Sequence, residues 1–186
     1  MTVSLTTPEM IVNEGLAKIG YPGRINNIYE GTPQAKKALD VFAQERDFLM
    51  CKNDWDFCQK ISALVASGGT APAPYSNEWT YPSDALKIRQ LFQSTAYTSP
   101  YNNPIPVLYK LGTAAAGKVI WTQVASCTAV YTSQVIPIAQ WDASFIEQLA
   151  NLVGKTLGPA LQKLEAIKIV DEDLKEGAER AMTAPE

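Results

Sequence analysis

Apolar residues recur three or four apart at both ends of the chain, while β-branched and aromatic residues crowd its middle. At the start, Met10, Ile11, Leu16 and Ile19 line one broad face, which predicts a short helix from about Pro8 to Ile19. Thr7 and Pro8 open it, and Gly20 with Pro22-Gly23 closes it. A second helix is marked by Thr32 as N-cap and Pro33 at the first position, where a missing N–H costs nothing. At about 3.6 residues per turn, Ala35, Ala38, Leu39, Phe42 and Leu49 share one arc, and Lys36, Lys37, Asp40, Gln44 and Asp47 lie elsewhere. Arg46 falls inside the apolar arc, so it must snorkel to solvent or meet a carboxylate, with Glu30 and Asp56 the nearest candidates. Trp55 and Phe57 then alternate with Asp54 and Asp56, as expected of two rings driven into a core from an extended segment.

The apolar run from Ile61 to Ala66 extends the packed segment until Gly68-Gly69 and Pro72-Ala73-Pro74 break it. From Trp79 to Val135 the signal is strand-like, with runs at 79–81, 86–92, 106–111, 118–122 and 127–132. Gln93 to Ile105 lacks periodicity and reads as a long exposed loop. The segments 112–117 and 124–126 read as turns of an antiparallel meander, a small sheet of about four strands. Helix then returns: Phe145, Ile146, Leu149, Leu152, Val153 and Leu157 form a core-facing stripe that Gly158-Pro159 is expected to stop. A last helix carries Leu161, Leu164, Ile167, Val170, Leu174, Ala178 and Ala181, and its roughly 30 Å would project beyond a compact body. The Ala-rich end, Gly177 to Glu186, either frays or is ordered by a partner. The expected fold is a single α+β domain over 1–186, mainly α. It is a helical bundle (1–67 and 140–182) with an inserted small antiparallel β-sheet at about 79–135 and a tail at 183–186.

Composition narrows the chemistry. The chain contains no histidine, which removes the commonest general base, the Ser-His and Cys-His nucleophile pairs and most zinc sites. It has no P-loop, GxGxxG, GxSxG or CxxC. Cys51, Cys58 and Cys127 are odd in number and lie in apolar surroundings, as reduced core thiols do; without histidine they make a poor metal site. Asp171, Glu172 and Asp173 run consecutively and spread around a helix instead of converging. A net charge of −3 argues against tight binding to phosphates, and the basic residues are scattered. No catalytic residue, cofactor or metal is expected. The reduced thiols suit assembly in a cytoplasm; the N-terminus lacks a basic segment followed by an apolar one and no run of about 18 apolar residues occurs, so neither signal-driven secretion nor a membrane span or partner is expected.

A set of short motifs carries the reading further. LAKIG at 16–20, Arg24-Ile25, Glu30-Gly31-Thr32, Ala35 and Ala38, Glu45-Arg46-Asp47 and Trp55-Asp56-Phe57 resemble, in order, the signature of the phage head-to-tail adaptors, called tail tubular protein A in short-tailed phages. The resemblance continues through Tyr81-Pro82-Ser83-Asp84 and Trp141-Asp142-Ala143-Ser144-Phe145, and so covers most of the chain. It implies a helical bundle with a small β insertion and a virion protein of the neck, assembled in the host cytoplasm. Such a protein forms a ring, typically of twelve copies, beneath the portal and docks the tail or nozzle below, while genomic DNA passes the lumen without specific binding. By the same analogy the C-terminal helix, with Leu174, Ala178, Arg180, Ala181 and Met182, would contact the portal, and Tyr97, Tyr101, Asn102 and Asn103 the tail side. Arg24, Glu30, Gly31, Arg46, Trp55 and Phe57 would build the fold or the ring interface.

Two other classes stay open. A head-completion or tail-completion protein of another neck layer would share the assembly role with different neighbours. A cell-wall hydrolase using Asp or Glu would need two carboxylates facing one cleft, and no such pair is legible. The 68–78 connection, long and rich in Gly and Pro, departs from the family pattern.

Overall fold

Thr7 caps the first helix, α1 (Pro8–Lys18), by accepting a hydrogen bond from the Met10 N–H at its Oγ1, and Pro8 stands at the first position. Thr32 does the same for α2 (Pro33–Lys52), accepting from the Ala35 N–H at 3.2 Å. A third helix, α3, spans residues 143–162. The computed structural model describes residues 6–93, 106–115 and 117–162. The chain divides into two compact units, one of Met1–Arg46 with Asp142–Glu186 and one of Asp47–Trp141.

In the helical unit, Ile11, Val12 and Leu16 of α1 and Phe145, Leu149 and Val153 of α3 are buried. Met10 and Ile19, expected on the core face of α1, are exposed instead; Val12 takes the inward position. α1 and α3 cross at glycines: a side-chain carbon on Gly15 would meet the Ala150 carbonyl oxygen and the Gly154 amide, and one on Gly154 would meet the Gly15 backbone. Backbone lies against backbone, which only glycine permits. The expected stop at Gly158-Pro159 does not occur, because α3 continues through both residues. Leu157 and Leu161 are fully buried on the same stripe, and two buried leucines at roughly 1.5–3 kcal/mol each outweigh the cost of a proline inside a helix, about 3 kcal/mol.

The second unit is built from β1 (Gln59–Ala63), β2 (Asn77–Thr80), β3 (Ala85–Gln93), β4 (Tyr109–Ala114), β5 (Gly117–Thr122) and β6 (Cys127–Ser133). They pair as two antiparallel three-stranded sheets, in the orders β1-β6-β3 and β2-β5-β4. The mainly helical bundle with one small sheet is therefore overturned: the fold is a mixed one in which the strands form a unit with its own core. That core joins both sheets through Trp79 and Ile120 on one side and Ile88, Leu91, Cys127 and Ala129 on the other. The expected meander is corrected as well, since residues 124–126 carry the chain from one sheet to the other instead of turning within one. Ile61 to Ala63, taken for a continuation of the helical segment, belong to strand β1, which covers the edge of β6. Trp55 is extended, as expected, but Phe57 lies within a short 3-10 turn, Asp56–Cys58, instead of an extended segment. Just before the turn, the Trp55 indole N–H donates to the Leu49 carbonyl at 3.1 Å and satisfies an acceptor near the end of α2.

Gly15→Ala should lower stability by about 1–3 kcal/mol through overpacking. That outweighs the roughly 1 kcal/mol alanine gains in helix propensity. Denaturant unfolding monitored by circular dichroism would read it, and a neutral result would refute the close crossing.

Candidate functional site

Two constellations stand out among the described residues, one in each unit. In the helical unit the segment between α1 and α2 is tied down on one side and bare on the other. The Asn13 amide clamps Ile25, donating to its carbonyl and accepting from its N–H, both at 2.8 Å. The Ile28 N–H donates to Glu9 Oε1 at 3.2 Å, and the Ile25 and Ile28 side chains are buried. Between and beyond these anchors Arg24, Tyr29, Glu30 and Gly31 are exposed, Tyr29 by 70%. The Tyr29 N–H donates to Asn27 Oδ1 at 2.9 Å, and Glu30 Oε1 accepts from the Thr32 hydroxyl at 3.0 Å. A loop fastened at Ile25 and Ile28 thus presents an aromatic ring and a carboxylate to water.

In the β unit, Asp84 gathers three donors. Lys60 Nζ and Ser133 Oγ both donate to its Oδ2, at 2.7 and 2.8 Å, and the Tyr131 hydroxyl donates to Oδ1 at 3.0 Å. The Lys60 hydrogen bond does most to lower the Asp84 pKa; burial opposes it, and the two hydroxyls add to bring it to about 2. Burial first, and then the Asp84 carboxylate, push the Tyr131 phenol up to about 12. A second carboxylate, Glu78, is only 8% exposed and has neutral partners: Ser67 Oγ donates at 2.6 Å and the Trp121 indole N–H at 2.8 Å. Those hydrogen bonds, the Ser67 one first, lower its pKa. Arg89 is the third tie, donating to the Trp55 carbonyl at 2.7 Å and to Thr132 Oγ1 at 2.9 Å. Each charged group is already saturated by groups of its own fold, so these are fastenings between strands. Burial pushes the thiols of Cys51, Cys58 and Cys127 up, which keeps them protonated, and all three are free.

Of the residues expected to build the fold or the ring, Arg24, Glu30 and Gly31 come together on the exposed loop. Arg46 lies half-buried in α2, and Trp55 and Phe57 stack at 6.0 Å between ring centres, with Trp141 at 6.5 Å from Phe57. The expected portal contacts, Leu174, Ala178, Arg180, Ala181 and Met182, lie outside the described residues, as do the tail-side set Tyr97, Tyr101, Asn102 and Asn103 and the acidic run Asp171 to Asp173. The sequence reading missed the donors around Asp84, which come from positions far apart in the chain; only the Tyr81-Pro82-Ser83-Asp84 motif pointed there. It also missed Asn13. Among the described residues no group of three or more metal-ligating side chains converges, and no helix is long and apolar enough to cross a membrane. No protein-family model matches the chain, and no curated protein matches it.

Because the Asp84 pKa is depressed in the fold, its contribution to stability is present above pH 3.8 and is lost as pH falls toward 2. The difference amounts to roughly 2 kcal/mol. Acid unfolding should therefore steepen below about pH 4 in the native chain, while Asp84→Asn should be less stable at pH 7 and flatter between pH 4 and 2. Equal slopes for the two proteins would refute it. At the alkaline end the raised Tyr131 pKa acts the other way, and stability should fall between pH 10 and about 12.

Proposed function

We propose that this chain is a structural neck protein of a tailed phage, a ring-forming adaptor that joins the portal to the tail and surrounds the channel through which DNA leaves. The observation that carries the reading is the ordered series of motifs from Leu16-Ala17-Lys18-Ile19-Gly20 to Trp141-Asp142-Ala143-Ser144-Phe145, which resembles the adaptor signature along most of the chain.

The fold lends support in the place of the motif residues: Arg24 and Glu30-Gly31-Thr32 are exposed on a loop whose backbone is clamped, an arrangement suited to recognition between copies. A ring repeats one head-to-tail contact, so a modest interface closes on itself and is made many times over. The net charge of −3 disfavours retention of phosphates, which suits a channel that DNA must cross freely.

The mass of the purified protein, alone and mixed with portal rings, tests the reading. The chain should join the portal in the portal's own copy number, and removal of Gly177 to Glu186 should weaken that association at least tenfold. A protein that stays monomeric and ignores the portal would overturn the reading.

A further inference from the structure

The loop between α1 and α2 carries an exposed aromatic ring, and the same helical unit carries a groove. The groove, of about 370 Å³, is formed by Met10, Asn13, Glu14 and Ala17 of α1 with Arg24 and Ile146. Its lining includes Met10, which is 49% exposed, beside Ala17 and Ile146. Two of its polar groups are already engaged: the Asn13 amide by Ile25, and Glu14 by Lys18 at 3.1 Å. Arg24 is exposed at the groove and has no carboxylate partner among the described residues. The aromatic ring is Tyr29, and the next residue is Glu30, a carboxylate that accepts only from the Thr32 hydroxyl among the described residues.

We propose that Tyr29 of one copy enters the groove of the next copy, with its Glu30 pairing with that copy's Arg24. The inference rests on the ring reading and names the contact that closes the ring. Tyr29 and Glu30 are not among the residues that line the groove, so the proposed contact joins two unlike sets of residues, as each head-to-tail contact of a closed ring does. The two surfaces are complementary in charge, cation at the groove and anion beside the ring. Tyrosine and arginine supply the kind of anchor that dominates interface energetics. The loop is held in place before binding by Asn13 and Glu9, so little ordering entropy opposes docking. The Arg24–Glu30 pair lies at an exposed rim, and assembly should weaken as salt is raised.

Charge reversal in assembly on portal rings tests this. Tyr29→Ala, Arg24→Glu and Glu30→Arg should each reduce the fraction of chain in rings at least tenfold at fixed concentration, with melting temperatures unchanged because all three side chains are exposed. An equimolar mixture of the Arg24→Glu and Glu30→Arg proteins should assemble again, because alternating copies restore every pair, and so should the double variant. Single variants that assemble like the native chain, or a mixture no better than its parts, would overturn the contact while leaving the ring reading standing. A native chain that forms no ring on the portal would overturn the ring reading and the contact together.

Discussion

Strand β6 is the constraint on which the β unit depends. Six of its seven residues are buried, and three consecutive ones, Tyr131, Thr132 and Ser133, carry hydroxyls. Buried hydroxyls must find partners, and both edges of the strand must be paired. β1 and β3 meet the second demand. The same two flanks meet the first: Asp84, just before β3, accepts from Tyr131 and Ser133, and Arg89, within β3, donates to Thr132. Lys60 of β1 then neutralises Asp84 from the other side. The ladder of β3 is irregular between Ile88 and Gln90, and the extra residue there is Arg89. A bulge re-aims a side chain that a regular strand would send elsewhere. Register and polar satisfaction are one constraint here, since a slip of one residue would turn the hydroxyls away from their partners.

Local signals were legible where local physics decides. The Thr-Pro starts of α1 and α2 are set by capping within one turn, and both appear as read. The strands at 79–81, 86–92, 106–111, 118–122 and 127–132 were found to within a few residues, because β-branched and aromatic residues suit a half-buried sheet whatever its topology. Failure came where distant parts of the chain decide. β1 is mostly exposed and holds its place through pairing with β6, nearly seventy residues later, so no period in its own sequence marks it. The proline at 159 looked like a stop because its cost is local, whereas the burial of Leu157 and Leu161 that offsets it is tertiary.

The candidate site was legible in part for the same reason. Arg24, Glu30 and Gly31 were singled out together with Arg46, Trp55 and Phe57, and of the six only these three share the exposed loop. What fixes that loop is Asn13, twelve residues before Ile25, and Glu9, nineteen before Ile28. A polar residue on a helix gives no sign in the sequence that it faces a particular peptide group. Asp84 was visible only as the end of a short motif; its three donors come from β1 and β6.

The two units differ in what they do with their charges, and that difference bears on function. In the β unit Asp84, Glu78 and Arg89 are engaged by donors and acceptors of their own chain, so their charge is used to hold strands together. A charge fastened in this way has little left with which to recognise a partner. On the helical unit Arg24 stands in water beside an apolar groove, and Glu30 stands next to an exposed aromatic ring. Among the described residues neither is in an ion pair, and Glu30 accepts only from the Thr32 hydroxyl; an exposed pair within one copy would add only about 0–1 kcal/mol to its stability. Such groups gain value when a second surface excludes water from them, and the proposed ring would repeat that small gain at every copy.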